Sequence, residues 1–447
     1  MAALFIGVFM AALDTSVIAP AIPALRAQFG LDNRQVGLVM IVFILCSMCS
    51  TAPMASLGDR HGRRPVYLAS IGLFALGSLV IALSTSFWAL LLGRAIQGVG
   101  GGGIIPTASA VIGDVYAPKE RARALGLIGA TYGMAFVLGP PLAGLVMVVA
   151  SWQWIFVANL PIAAVVIWKA ARVMPVQTRA GVLPPLDWRG IVAVFVLLSA
   201  LVLGLTHVAD NLTGLHLWPW FLGLTLLMLP VLLRVESRAV QPLIPLGLFA
   251  NRQLALAYGL TLGAGFGMGS VIFLTSIATL AHGVAKANAG FVLLSMVVCS
   301  MLGSMGSGRL LNRLGSRTLV LAGFALTAAG YAATAFTQLG LVGFLLATMP
   351  VGLGIGVLVS GALRTIAIDE APVAQRGAAQ GLVNIFTSIG TLLAAATIGA
   401  LADWQGGGAH GFAMAYGAVA VLMLAMLAVA LGLRRGSLLA EAAKPAV

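Results

Sequence analysis

Leu57-Gly58-Asp59-Arg60-His61-Gly62-Arg63-Arg64 returns 253 residues later as Leu310-Leu311-Asn312-Arg313-Leu314-Gly315-Ser316-Arg317. Leu57, Arg60, Gly62 and Arg64 are matched by Leu310, Arg313, Gly315 and Arg317. Each copy is a short basic turn between two long apolar runs. A second echo lies at an offset of 255, where Arg121 and Gly126 meet Arg376 and Gly381. Echoes at equivalent places along the chain mark an internal duplication.

Working outward, apolar runs separated by charges and turn residues fall at 3–25, 36–57, 65–84, 87–112, 124–147, 152–173, 188–207, 216–233, 253–275, 287–311, 317–336, 339–366, 376–402 and 410–433. Runs of about 20 apolar residues match the length a bilayer-spanning helix needs, and in lipid the backbone must bond within its own segment. Barrels are excluded by run length. Across 447 residues, 60% are hydrophobic and 8% charged, too few charges for a water-exposed surface. The first run follows Met1 directly, without a basic leader or cleavage site, and is read as a span.

Fourteen spans put both termini on one side. That side then holds all the Lys and Arg residues except Arg26, Arg34, Lys286 and Arg94. The bias makes it the cytoplasmic side and accounts for the net charge of +13 without nucleic acid. The duplication organises the spans into an N-terminal six-helix bundle (1–175), two additional helices with linkers (176–250), a C-terminal six-helix bundle (251–435) and a cytoplasmic tail (436–447). Paired halves related by an axis along the membrane normal are a transporter architecture, with substrate bound near the midplane between them.

Two ionisable side chains stand out deep in apolar runs, Asp14 and Arg94, with no counterpart charge opposite in the second half. A charge at the bilayer centre costs about 2.5 to 3.5 kcal/mol on insertion scales, so each is a functional candidate. Burial favours a protonated carboxyl and a nearby guanidinium favours the carboxylate, so alternating environments let an acid load and release a proton. The loop Asp59, Arg60, Gly62, Arg63, Arg64, with its echo Asn312 and Arg313, is read as a conformational switch in which Asp59 caps or pairs with a neighbouring helix in one state. Gln97 and Asn384 are candidates to line the substrate cavity.

Other patterns carry no chemistry. Cys46, Cys49 and Cys299 lie in apolar runs as small hydrophobes. Gly98–Gly103 and Gly352–Gly356 lack the Lys-Ser/Thr of a phosphate loop. His61, His207, His216, His282 and His410 show no ligand spacing, so neither a metal nor another cofactor is expected. Asn211-Leu212-Thr213 is read as a chance sequon.

The ordered set resembles the major facilitator superfamily, and within it the fourteen-span drug:proton antiporter group. Leu57 to Arg64 is similar to its G-x-L-A-D-R-x-G-R-K/R loop, with Ala55 for the first glycine and Gly58 for the alanine. Arg94-Ala95-Ile96-Gln97-Gly98 matches R-x-x-Q-G, whose arginine the family associates with proton coupling. Gly126, Gly139, Pro140 and Gly144 fit the span 5 antiporter pattern, with Ala135 and Ala143 where glycines are usual. Leu13 to Ile18, the Trp152 to Pro161 run and Asp187-Trp188-Arg189-Gly190 resemble further segments of the group.

The resemblance implies an all-α integral membrane protein with a major facilitator fold, two six-helix bundles plus two extra transmembrane helices. It also implies a non-enzymatic, monomeric exporter in the cell membrane whose partners are a small amphipathic substrate, protons and the lipid bilayer. A specific exporter or flippase for a metabolite, lipid or siderophore is the alternative. A non-transporting sensor is disfavoured by the short tail after Arg435, and an intramembrane enzyme by the absence of a histidine in any span centre.

Overall fold

A computed structural model describes residues 2–31, 33–116, 118–174, 187–209, 218–239, 242, 244–284, 291–336, 340–404 and 408–434. The Asn211 sequon and the tail at 436–447 lie outside these residues. Each long apolar run forms helix over its described residues, and no strand occurs among them. Ten of the described helical stretches are long and apolar enough to cross a bilayer.

The first half comprises α1 (Ala2–Phe29), α2 (Asn33–His61), α3 (Arg63–Ala82), α4 (Phe87–Val115), α5 (Pro118–Val149), α6 (Gln153–Val157) and α7 (Asn159–Val173). Then come α8 (Trp188–Ala209) and α9 (Trp218–Arg238). The second half contains α10 (Gly247–Ala250), α11 (Arg252–Ser270), α12 (Leu274–Leu280), α13 (Leu294–Thr334), α14 (Gly340–Val357), α15 (Leu363–Glu370), α16 (Arg376–Trp404) and α17 (Gly408–Ala430). Several expected boundaries differ: the run at 253–275 divides into α11 and α12, and that at 339–366 into α14 and α15. The run at 152–173 is broken at Ala158 into α6 and α7, and the tenth and eleventh runs join in α13 across Gly315.

Gly315 sits at φ 76°, and its counterpart Gly62, between α2 and α3, at φ 94°. Both turn the chain in the left-handed region that side chains rarely adopt. The duplication is also written in the packing. A methyl group on Gly98 would strike the Phe43 carbonyl, and one on Gly102 the Ser47 carbonyl, so α4 lies hard against α2. Gly352 and Gly356 meet the carbonyls of Met296 and Ser300 in the same way, bringing α14 against α13. Gly100 faces Ser70 O and Phe74 N, as Gly354 faces Gly323 O and Thr327 N. These glycine-rich stretches are helix contact surfaces, with the small-residue packing that membrane helices use in place of a hydrophobic drive.

One residue disturbs the register. The glycines of α4 and α14 correspond at an offset of 254, whereas α4 and α15 end at Val115 and Glu370, an offset of 255. Between them, Leu358–Ala362 forms a π turn, which takes up the extra residue within the helix.

The halves meet where α2 runs along α16 and α5 along α13. The α8 stripe Val194, Leu198 and Val202 is buried against Met48, Cys49 and Ala52 of α2 and Ile385 and Leu392 of α16. Thus α8 lies over the α2–α16 seam and touches both halves. Beyond it, α9 exposes Leu226, Leu227 and Leu229.

Candidate functional site

The first cluster is assembled by five helices of the first half. Arg94, from α4, donates through Nη1 to Asp14 Oδ2 in α1 at 2.6 Å and to Gln97 Oε1 at 2.7 Å. Gln97 Nε2 donates to Asp14 Oδ1 at 2.7 Å and to Ser78 Oγ of α3 at 2.9 Å. Asn159, at the start of α7, donates to Asp14 Oδ1 at 3.4 Å and to Ser78 Oγ at 3.2 Å. Arg94 Nε donates to the Val39 carbonyl at 3.2 Å, and the guanidinium lies 4.3 Å over the Phe43 ring.

Asp14 and Arg94 are each 1% exposed and Gln97 is fully buried. A pair so completely removed from water persists when further donors and acceptors hold it, and here Gln97, Asn159 and the Val39 carbonyl do so. Gln97 is therefore part of the ion-pair network. Ser78 and Asn159 were not singled out as site residues by the sequence. Asn159 stood in a recognised motif, but the only trace of Ser78 is its small neighbour Gly77, which packs against the Gln97 backbone.

The second cluster closes the basic end. Arg63 forms an ion pair with Asp59 and reaches Asp114 Oδ2, at the end of α4, through Nε at 3.2 Å. Asp59 Oδ2 accepts from the Ala378 amide at 3.2 Å, in the first turn of α16, where backbone donors lack helical partners. Arg376 donates to the Gly113 carbonyl at 3.0 Å and lies 3.7 Å from Asp114. Four charges thus link the loop of one half to a helix start of the other. Arg60 is buried and Arg64 half-buried. Their echo is not equivalent: Arg313 is exposed, and the side chain of Asn312 lies outside those described.

The antiporter-pattern residues divide. Gly139 abuts Ser16 Oγ, which donates to the Ala135 carbonyl at 2.9 Å, so α5 grips α1 two residues from Asp14. Gly144 faces open space. For Gly126 and Pro140 the backbone is helical and the side chains are outside those described.

The reading that the second half has no buried charge is corrected. Arg364, in α15 and 6% exposed, donates through Nη2 to Asn384 Oδ1 at 2.8 Å and through Nη1 to Gln380 Oε1 at 3.4 Å. Gln380 Nε2 returns a bond to the Arg364 carbonyl at 2.9 Å. By sequence Arg364 falls near the end of an apolar run and passes for a loop residue. The π turn and the further turns of α15 enclose it. Asn384, expected to line the cavity, is a partner of this arginine.

Among the described residues no group of three or more His, Cys, Asp or Glu could hold a metal. His282, beyond the end of α12, packs 5.1 Å from Phe344, and burial lowers its pKa from the usual imidazole value.

The family profile described as Major Facilitator Superfamily matches residues 4–278 and again 254–446. The chain belongs to the major facilitator superfamily. As such it is a multi-pass membrane transporter. Its relatives include the uncharacterized MFS-type transporter YfiU of Bacillus subtilis, 32% identical over 87% of this chain and 76% of that protein. A protein of Mycobacteroides abscessus named triacylglyceride transporter is 32% identical over 93% and 83%. The multidrug transporter protein MdtP of B. subtilis is 27% identical over 90% and 75%. The crystal structure of the human organic anion transporter MFSD10 superposes with a TM-score of 0.72 at 17% identity, covering 96% of this major facilitator chain and 98% of that one, which supports the fold alone.

Proposed function

We propose that this transporter exports small amphipathic compounds in exchange for protons, by alternating access between its halves. The observation that carries the reading is the buried Asp14–Arg94–Gln97 network, where a carboxylate and a guanidinium share one amide. Protonating Asp14 removes the charge that holds Arg94 and frees that guanidinium to seek other acceptors. The proton thereby changes packing among α1, α3, α4 and α7. Asp14 and Arg94 act as the coupling pair, and Asp59, Arg63, Asp114 and Arg376 as the latch of the closed basic end. The fourteen-span arrangement with cytoplasmic termini belongs to the same reading, supported by the basic-residue bias. The multidrug naming of relatives such as MdtP agrees with export.

The test is efflux of ethidium from proteoliposomes with and without an imposed pH gradient. Wild-type protein is expected to move the dye only with the gradient, and Asp14→Asn to lose that dependence. Undiminished gradient-driven export by Asp14→Asn would remove the coupling role assigned to it. A second reading, export of a lipid, draws on the relationship to the triacylglyceride transporter. Lipid movement without dye efflux in the same vesicles would favour it.

A further inference from the structure

Three side chains carry charge more than one helical turn inside the bundle among the described residues: Asp14 and Arg94, which pair in the first half, and Arg364 in the second. The position of Arg364 relative to the first half follows from contacts on its own helix. Ile368 lies against Gly113 of the first half, so that stripe of α15 faces α4. Arg364 is four residues earlier on the stripe, about 6 Å further in. Gly377 faces Asp59 and Arg63, Gly381 faces Thr51 and Ala55, and Asn384 continues the same face of α16. Arg364, Gln380 and Asn384 therefore gather between the halves, just inward of the latch.

An independent observation comes from the opposite wall. Ser109 lies on α4 four residues before Gly113, one turn inward on the stripe that faces α15. Its hydroxyl is fully buried and donates to nothing, and the Thr365 hydroxyl beside Arg364 is also buried without a partner. Such groups are costly unless something fills them. A guanidinium, two side-chain amides and two unfilled hydroxyls are a donor-rich set suited to a carboxylate or similar anion, which arginine recognises through paired N–H groups.

The geometry points to an anion-binding station at Arg364, Gln380 and Asn384, with Ser109 and Thr365 as additional donors, which takes the acidic head of an amphipathic substrate while its apolar body occupies the cleft. This inference rests on the transport reading above for its setting, and it adds one class to the substrates that reading covers: amphipathic monoanions.

Binding is measured without any gradient, so the outcome is separate from proton coupling. Full-length protein in phosphatidylcholine nanodiscs is titrated with dansyl-undecanoate as the anionic probe and ethidium as the cationic one. Arg364→Gln is expected to weaken dansyl-undecanoate binding by about tenfold, as loss of one charge-assisted contact implies. Arg364→Lys should recover part of it, and ethidium binding should stay within about twofold of wild type, the allowance being well under the tenfold that 1.4 kcal/mol represents. Phosphatidylglycerol that competes with the probe assigns the anion to a lipid headgroup, and absence of competition assigns it to a free acid. Equal dansyl-undecanoate binding by wild type and Arg364→Gln overturns the station. So does a parallel loss of both probes in Arg364→Gln and Arg364→Lys protein that remains monodisperse, which would make Arg364 a strut between α15 and α16. If gradient-driven efflux fails while Arg364-dependent binding holds, the antiport reading falls and the station stands.

Discussion

Asp14 accepts bonds from Arg94, Gln97 and Asn159, which reach it from two other helices. Removing one member leaves the others buried without their partner, a loss typically of about 3 to 5 kcal/mol for a buried ion pair. Arg94→Ala is therefore expected to lower the thermal midpoint in detergent strongly. Asp14→Asn combined with Arg94→Gln, which removes both charges, should restore much of it; a double variant no more stable than Arg94→Ala would show that the charges themselves are not what holds the site. At this scale the sequence was informative where a residue broke an apolar pattern. Asp14 and Arg94 were conspicuous because a charge amid twenty apolar residues has no neutral explanation. Ser78 was silent, since a serine in a membrane helix usually bonds back to its own carbonyls, as Ser78 also does to Phe74 at 3.0 Å. Arg364 was masked by its nearness to a run's end.

Between elements, the decisive contact is the start of α16 against the Asp59 loop. Gly377 leaves no room for a side chain beside Asp59 and Arg63, and the Ala378 amide is held by Asp59. Gly377→Val is expected to prise this end apart. Spin labels placed at exposed His61 and exposed Val373 should then report a longer distance than in the otherwise unaltered labelled protein, and an unchanged distance would count against the latch. Helix existence was legible from apolar run length alone, because lipid leaves the backbone no alternative. The break at Ala158 and the π turn at Leu358–Ala362 were not, since neither changes the hydropathy along the run. The repeat of loop residues was legible as pattern, yet its echo at Arg313 is exposed where Arg60 is buried, a difference the shared motif does not show.

Across the whole molecule, the charge bias is what supports the proposed orientation. If the basic end faces the cytoplasm, a fluorescent protein fused after the C-terminus should fluoresce and alkaline phosphatase fused there should stay inactive; active phosphatase would invert the reading and with it the direction of transport. The two-half architecture could be read from offsets of 253 and 255, but the position of α8 could not. Its apolar stripe has no sequence mark for the α2–α16 seam as opposed to lipid, and only packing shows that it contacts both halves.

The π turn has one more consequence. A duplicated chain would begin with its two copies in phase, every residue facing its twin's equivalent neighbour. The single added residue at Leu358–Ala362 is absorbed like a dislocation: upstream the copies are in step at one offset, and downstream they are in step again at an offset one residue larger. Ser109 and Arg364 become twins only because of that slip. The molecule thus keeps its backbone symmetry through the last turns and varies only the side chains there, giving a hydroxyl on one wall a cation as its twin on the other.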